Sequence, residues 1–349
     1  MSKPNSFSLR NSVLNSWRHP NYLSYALRPL SEVYKLMFNL RGWCYRTGLL
    51  ASYRAPLPVI VVGNITIGGS GKTPLLISLV GELRELGFKP GVISRGYGGH
   101  AKHYPLAVTA STDPIECGDE PALIVKRTQV PMVVGPNRQA DIQLLIAEHD
   151  IDIIISDDGL QHLALQRDIE ICVLDHTSTE DRETNYYLLP AGPYRESIER
   201  LVSVDLIVEH LSQDQAQSSE GSATRCSMFL EPAQPVSISN KATPQNSKSL
   251  EFNPNAGIHA VVGIGKPQRF FDTCLNQGWN IEQHAFADHH PYVQADLKFP
   301  DDKPVLMTEK DAVKCQKFNL ENHWYLPVDA KLSHALLLKF KELLADLKR

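Results

Sequence analysis

The sequence predicts an α/β protein of the P-loop NTPase kind, a mostly parallel sheet with helices on both faces. A second, smaller α/β domain and an N-terminal amphipathic helix complete the expectation. Three observations carry it. The stretch PVIVVGNITIGGSGKTP (58–74) reads as a buried strand, a glycine-rich turn and the start of a helix. From there to about residue 208, apolar β-branched runs alternate with helical patterns, the mark of a parallel sheet. After a polar stretch, IHAVVGIG and a helix over Phe270–Leu275 repeat the strand–turn–helix unit.

Taken in order, the chain begins with a basic head. Residues 1–54 hold eight Lys or Arg and one acid, Glu32, a balance of +7 that leaves −11 for the remainder of a chain of net charge −4. Leu23, Ala26, Leu27, Leu30, Tyr34 and Met37 recur at spacings of three and four, while Arg28, Glu32, Lys35 and Asn39 fall on the other side. Trp17, Tyr22, Trp43 and Tyr45 flank this stripe. A basic amphipathic helix with aromatic ends suits a membrane surface, and the simpler alternative is a helix packed on the body by its apolar face. Pro29 is expected to kink or restart it.

The glycine loop follows. In Gly68, Gly69, Ser70 and Gly71 the small residues let backbone N–H groups converge on phosphate oxygens at a helix N-terminus. Lys72 is expected at the β/γ phosphates and the Thr73 hydroxyl on Mg²⁺, so ATP with Mg²⁺ is the implied ligand. Leu75, Leu76, Leu79, Val80 and Leu83 supply the helix's buried stripe. Thr66 stands where the usual spacing has glycine, which makes the loop a variant form.

Expected strands at 91–95, 130–135, 151–156, 169–174 and 204–208 alternate with helices over 73–87, from near Glu120, and over 137–149. Ligands of such sheets sit beyond the carboxyl ends of the strands. Strand 151–156 runs into Asp157 and Asp158, a carboxylate pair suited to hold Mg²⁺, with Gln161 and His162 just beyond. Cys117-Gly118-Asp119-Glu120-Pro121 places two acids at a helix start, as caps or as a proton acceptor. Asp288-His289-His290, with His284 nearby, reads better as an Asp-oriented acid–base histidine than as a metal cage. Residues 211–250 are polar apart from a strand around Met228–Leu230, and the sequence closes on an amphipathic helix over Leu332–Leu347.

The bounds of the whole chain agree. With 349 residues, 42% hydrophobic and 21% charged, two folded domains fit the length. Six dispersed cysteines without a CxxC pair argue against a disulfide framework and a structural zinc site. No 18-residue apolar run and no signal-peptide centre occur, so a cytoplasmic protein is expected.

These motifs together resemble the tetraacyldisaccharide 4′-kinase family, the lipid A kinases of Gram-negative bacteria. The resemblance rests on VVGNITIGGSGKTP, SRGYG (94–98), GDEP (118–121), PNR (136–138), SDDGLQH (156–162), LLPAGPYRE (188–196), VVGIGKPQRF (261–270), FADHH (286–290) and MTEKDAVK (307–314). It implies phosphorylation of the 4′ hydroxyl of a tetraacylated glucosamine disaccharide 1-phosphate with MgATP. The place of work would be the cytoplasmic face of the inner membrane, reached through the N-terminal helix. Neither a nucleic acid nor a protein partner is implied. Asp119 matches the family's acid/base, paired with His289; Lys72 and Thr73 match its phosphate and Mg²⁺ groups; Asp157 and Asp158 match its second acidic motif. Arg95, Tyr97, Glu120, Arg138, His162, Arg195 and Glu196 match positions around the substrate.

The expected domains are a membrane-interface helix (1–45), a kinase domain (46–211, completed by helix 332–349) and a second α/β domain (212–331). On those boundaries Asp119 and His289 come from different domains, and a site using both is expected in the cleft between them. Two other classes stay open on the residues alone: a P-loop regulatory switch, and a membrane-bound scaffold with a vestigial nucleotide site.

Overall fold

The computed structural model describes residues 13, 16–17, 21–177, 186–218, 224–238, 251–318 and 320–347. In chain order its main elements begin with α1 (Tyr22–Arg46), β1 (Val59–Gly63), α2 (Lys72–Glu85), β2 (Pro90–Ser94) and β3 (Leu106–Val108). Then come α3 (Asp119–Thr128), β4 (Met132–Val134), α4 (Arg138–Glu148), β5 (Ile153–Asp157), β6 (Ile169–Asp175), β7 (Leu206–His210), β8 (Arg225–Pro232) and β9 (Val236–Ser237). The remainder is β10 (Ile258–Val262), α5 (Pro267–Asn276), β11 (Ile281–Ala285), β12 (Val305–Thr308), α6 (Glu309–Cys315), β13 (His323–Leu326), β14 (Val328–Leu332) and α7 (His334–Leu347).

The chain divides into two compact units, each made of separated segments. Unit 1 comprises 1–72, 152–229 and 331–349; unit 2 comprises 73–151 and 230–330. In unit 1 the strands run β8-β7-β6-β1-β5, all parallel. Every residue of β1 is buried, which is why it reads as an unbroken apolar run rather than an alternation. In unit 2, β2 and β4 are parallel and β3 joins β4 antiparallel. A five-stranded sheet, β11-β10-β12-β13-β9, is parallel except at β9. Its two faces carry different core clusters: Val261, Val305 and Met307 on one, Ala260, Val262 and Leu306 on the other. The mostly parallel α/β architecture is the one expected. Within 211–250, β8 covers the anticipated strand and extends it to Arg225–Pro232, while 219–223 and 239–250 lie outside the described residues.

Helix α1 does not restart at its proline, and it does not pack by its apolar face, the simpler of the two alternatives. It runs through Pro29 without a break, although proline leaves the carbonyl four residues back without its helical donor. Its buried residues are Ser24 and Ser31, not the apolar stripe. Ser31 Oγ donates to the Leu188 carbonyl at 2.8 Å and accepts from Ala191 N–H at 3.0 Å, and Tyr34 donates to the Arg195 carbonyl at 2.8 Å. Leu30, Val33, Leu36, Met37 and Leu40 are each more than half exposed. At the other end, Asn21 accepts from the N–H groups of Leu23 and Ser24, and Ser24 Oγ returns a bond to Asn21 N–H. Such a capping box is worth about 1 kcal/mol.

Candidate functional site

The phosphate loop leaves β1 and enters α2 at Lys72 and Thr73. Gly71 has φ +91°, and a Cβ there would lie 2.9 Å from Met228 Cε and 3.0 Å from His210 Nδ1, so only glycine serves. Around Gly68 and Gly69 an added Cβ would meet nothing within 4 Å, which leaves the loop backbone approachable. Thr66 fills the missing-glycine position because it forms a β-bridge with Tyr194, while Ile67 N–H donates to the Pro193 carbonyl at 2.9 Å. The variant loop is therefore anchored by 193–195 rather than by a second sharp turn.

Lys72 Nζ lies 3.2 Å from Asn64 Oδ1 and 3.4 Å from Asp158 Oδ1. Asp158, in the left-handed region at φ +48°, also accepts from Arg195 Nη1 at 2.9 Å. Burial works against its charge, but Lys72 and Arg195 prevail and hold the carboxyl below the usual range. Asp157 is nearly fully buried, and the parallel register sets it beside Val62, one residue before the loop begins. Glu196, also buried, accepts from Gln161 Nε2 at 2.6 Å; burial raises its pKa. Gln161 Nε2 also donates to the Asn64 carbonyl at 3.0 Å, so Glu196 supports the loop through Gln161. His162 is half-buried in the turn after β5, its carbonyl accepting from Arg167.

Two buried polar groups here, Asn64 Nδ2 and Ser70 Oγ, have no hydrogen-bond partner among the described residues. A buried donor left unmatched costs roughly 1–3 kcal/mol. Phosphate oxygens are the complementary acceptors, and with Lys72 and the open glycines these residues fit a nucleotide's phosphate chain. Thr73, Asp157 and Asp158 supply the hydroxyl and carboxylate oxygens that Mg²⁺ prefers.

In unit 2 a second cluster forms. Asp119 opens α3 after Gly118, whose φ of +93° and approach to the Tyr97 carbonyl (2.6 Å from an added Cβ) exclude other residues. His289, at φ +58°, brings Nδ1 to 3.0 Å from Asp119 Oδ2. Its neighbour His290 turns elsewhere, to Asp296 at 2.9 Å. The Tyr97 ring stands edge-on to His289 at 5.6 Å, and Asp288 lies 3.8 Å from His289 Nε2. Asp119 and His289, expected from different domains, both belong to unit 2. Burial disfavours the Asp119 charge, yet the His289 hydrogen bond and the Lys314 and Lys310 charges outweigh it, so its pKa is lowered.

Lys310 and Lys314 carry no assignment in the sequence reading beyond their motif. Lys314 Nζ sits 3.7 Å from Asp119 and 2.9 Å from Asp311, and Lys310 pairs with Glu120 at 2.9 Å. Their spacing of four on one helix, TEKDAVK, is the signal that would have paired them on one face. Arg127 ties α3 to α6 through Glu309 at 3.0 Å and also pairs with Asp329. Arg95 and Tyr97 are exposed beyond β2, whereas Arg138 is buried against the Gly135 carbonyl (3.3 Å) and Asp141 (3.4 Å). The structure thus gathers Lys72, Asp158, Arg195 and Glu196 around the loop, and Asp119, Tyr97 and Asp288 around the His289 imidazole, while Glu120 pairs with Lys310.

Comparison with known proteins gives concordant results. The family model described as tetraacyldisaccharide-1-P 4′-kinase matches residues 23–345. A tetraacyldisaccharide 4′-kinase of Haemophilus influenzae is 45% identical over 321 residues, covering 91% of this chain and 92% of that protein. One of Pasteurella multocida is 45% identical over 334 residues, 94% of this chain and 98% of that protein. Among solved structures, the "apo" form LpxK from Aquifex aeolicus in complex with ATP superposes with a TM-score of 0.75 at 28% identity, covering 93% of this chain and 99% of that one.

Proposed function

The chain belongs to the tetraacyldisaccharide-1-P 4′-kinase family, and from that premise we propose that it phosphorylates the 4′ hydroxyl of a tetraacylated glucosamine disaccharide 1-phosphate with MgATP. Lys72 is the point charge on the β and γ phosphates, backed by the loop N–H groups and the Asn64 and Ser70 donors. Thr73, Asp157 and Asp158 would hold the Mg²⁺ that accompanies ATP and neutralises phosphate charge.

The observation that carries the reading is the Asp119–His289 contact at 3.0 Å. An alcohol attacking a phosphoryl group must lose its proton, and a carboxylate held ionised beside an imidazole is placed to accept it. Lys314 and Lys310 keep Asp119 charged, and Gly118 aims it. Arg95 and Tyr97, both exposed, are assigned to the disaccharide, Glu120 and His162 to the rim of the site, and Arg195 and Glu196 to positioning Asp158 and Gln161. Arg138 acts from within the fold by holding the start of α4.

The acceptor carries four acyl chains, so the enzyme must work at a lipid surface. The exposed row Leu30, Val33, Leu36, Met37 and Leu40, with the basic charge of the head, supports α1 as the element that lies in the bilayer interface. Among the described residues no helix is long and apolar enough to cross a membrane. Peripheral attachment at the cytoplasmic face of the inner membrane, where ATP is available, follows from this reading.

The test incubates purified chain with MgATP and the disaccharide 1-phosphate and detects 4′-phosphate by mass spectrometry. Lys72→Ala should lower turnover by about 10²–10³-fold, the cost typical of losing one donor to transition-state charge. ATP hydrolysis indifferent to the glycolipid would instead identify a nucleotide switch.

A further inference from the structure

A group of titratable side chains with no part in phosphoryl transfer lies at one edge of the five-stranded sheet. Strands β10 and β11 pair in parallel, with His259 opposite Glu282 and Val261 opposite His284. Side chains alternate along a strand, so Glu282 and His284 share a face, and the register sets His259 on that same face. His259 is almost fully buried, its ring stacked on Phe299 at 3.9 Å between centroids and 12° between planes. Its Nε2 meets Asp301 Oδ1 at 2.7 Å. Its Nδ1 lies 3.0 Å from His284 Nε2 and 3.4 Å from Glu282 Oε2. One ligand atom from each of His259, Glu282 and His284 falls within 4.8 Å of the others.

We propose that His259 Nδ1, His284 Nε2 and the Glu282 carboxylate bind a divalent transition-metal ion, with Zn²⁺ the best fit. With its Nε2–H donated to the Asp301 carboxylate, His259 is left in the tautomer whose Nδ1 lone pair faces His284. A carboxylate behind a ligating histidine is the usual outer support of such sites. The spacing fits as well. Zinc–nitrogen bonds of about 2.0–2.1 Å at a tetrahedral angle put neighbouring ligand atoms about 3.3 Å apart, against the 3.0 and 3.4 Å found. Two imidazoles and one carboxylate leave a fourth position for water. Imidazole ligands favour zinc, nickel or copper over magnesium, so the ATP-linked ion does not compete.

Lys303 is the built-in competitor. Its ammonium pairs with Glu282 and lies 3.0 Å from Asp301 Oδ2. In the metal-free protein it balances the two acids, and a bound ion displaces it from Glu282. The ion would clasp β10 and the edge strand β11, with the segment from Phe299 to Lys303 held behind them through Asp301.

The experiment uses the full chain, stripped with a chelator and titrated with Zn²⁺ by calorimetry in excess Mg²⁺. Cobalt substitution reports the geometry through its visible absorption. Wild type is expected to bind one Zn²⁺ at this site and to give an intense, tetrahedral-type cobalt spectrum. Glu282→Ala and His284→Ala, both at the accessible edge, should each weaken binding at least tenfold, and Asp301→Asn by about 10–100-fold. Lys303→Gln should bind more tightly than wild type, and His289→Ala should bind as wild type does. Absence of binding to wild type, or wild-type affinity in both Glu282→Ala and His284→Ala, overturns the proposal and leaves two imidazoles sharing a proton. Loss confined to His289→Ala overturns it too, by moving the ion to the Asp119 cluster.

Discussion

His289 and Asp158 are non-glycine residues in the left-handed backbone region. A conformation of that kind costs of order 1–3 kcal/mol and persists only where the surroundings enforce it. At both positions the turn aims a side chain at an opposite charge or its partner: Asp158 at Lys72 and Arg195, His289 at Asp119. For the second pair a non-additivity test applies. Asp119→Ala and His289→Ala should each lower turnover by about 10²–10⁴-fold, the range of a positioned acid–base group. The double variant should be little worse than the poorer single one, because the two act as a unit. Steady-state kinetics on the three variants decides it, and losses that multiply would argue against a working pair. Asp119 and His289 were legible as residues, since GDEP and FADHH flag them. Lys314 was not, because its role depends on α6 lying alongside α3, a contact that no local pattern encodes. The choice of His289 over His290 likewise needed the backbone turn at 289, which sequence adjacency hides.

Among the elements, α1 inverts the usual rule for a helix on a folded body. It is fixed by small and polar groups, Ser24, Ser31 and Tyr34, and presents leucines outward. Its existence and 3.6-residue period were readable from the sequence, but the packed side was not. Serine seldom marks a buried face, and here it does so because Ser31 satisfies the Leu188 carbonyl and the Ala191 amide. The membrane reading makes a specific demand. Leu36→Asp with Leu40→Asp should weaken pelleting with anionic vesicles at least tenfold, since each loses about 1.5–3 kcal/mol of apolar burial and adds a like charge facing the lipid. The variant's urea unfolding midpoint should not move, because both side chains are exposed in the fold. Vesicle sedimentation equal to wild type would return α1 to an ordinary packed helix. Strands β1, β2, β5, β6 and β7 were legible to within a few residues because burial on both faces leaves continuous apolar runs, whereas the parallel edge strand β11 is mostly exposed and gave no such signal. The short strands β3, only partly buried, and β9, exposed, join their sheets antiparallel and carry no such run.

For the molecule as a whole, stability should carry the imprint of one buried acid. Asp141 is fully buried in α4, and burial, only partly offset by Arg138, pushes its carboxyl up to about 6. The folded state therefore holds this proton more tightly than the unfolded chain, in which the carboxyl titrates near 4. Its contribution is full below that value, falls as pH rises through about 6, and is gone above it. Two units correspond to about 3 kcal/mol. Urea unfolding of wild type and Asp141→Asn at pH 5 and pH 7.5 checks this. Wild type should lose stability over that interval by an amount that the variant does not lose, whatever the absolute stability of each. Parallel profiles would show that Asp141 is charged throughout in its pair with Arg138. Nothing in the sequence singled out Asp141, because an acid in the first turn of a helix reads as an ordinary dipole partner.

The segmentation of unit 1 also sets a timetable for a chain made on a ribosome. Strand β1 is synthesised early, while β5 and β6, its parallel neighbours, follow roughly 90–110 residues later. Helix α7, which packs on β7 and buries Leu336, Phe340 and Leu344, follows roughly 270 residues after β1. At about 5–20 residues per second, that interval is of the order of tens of seconds. Throughout it unit 1 lacks the helix that finally covers β7, so the half that carries the phosphate loop is closed only after α7 has been made. Unit 2, by contrast, has its final segment in hand before residue 331 is added. Folding during synthesis must then run from the acid–base half toward the phosphate-binding half, the reverse of their order in the sequence.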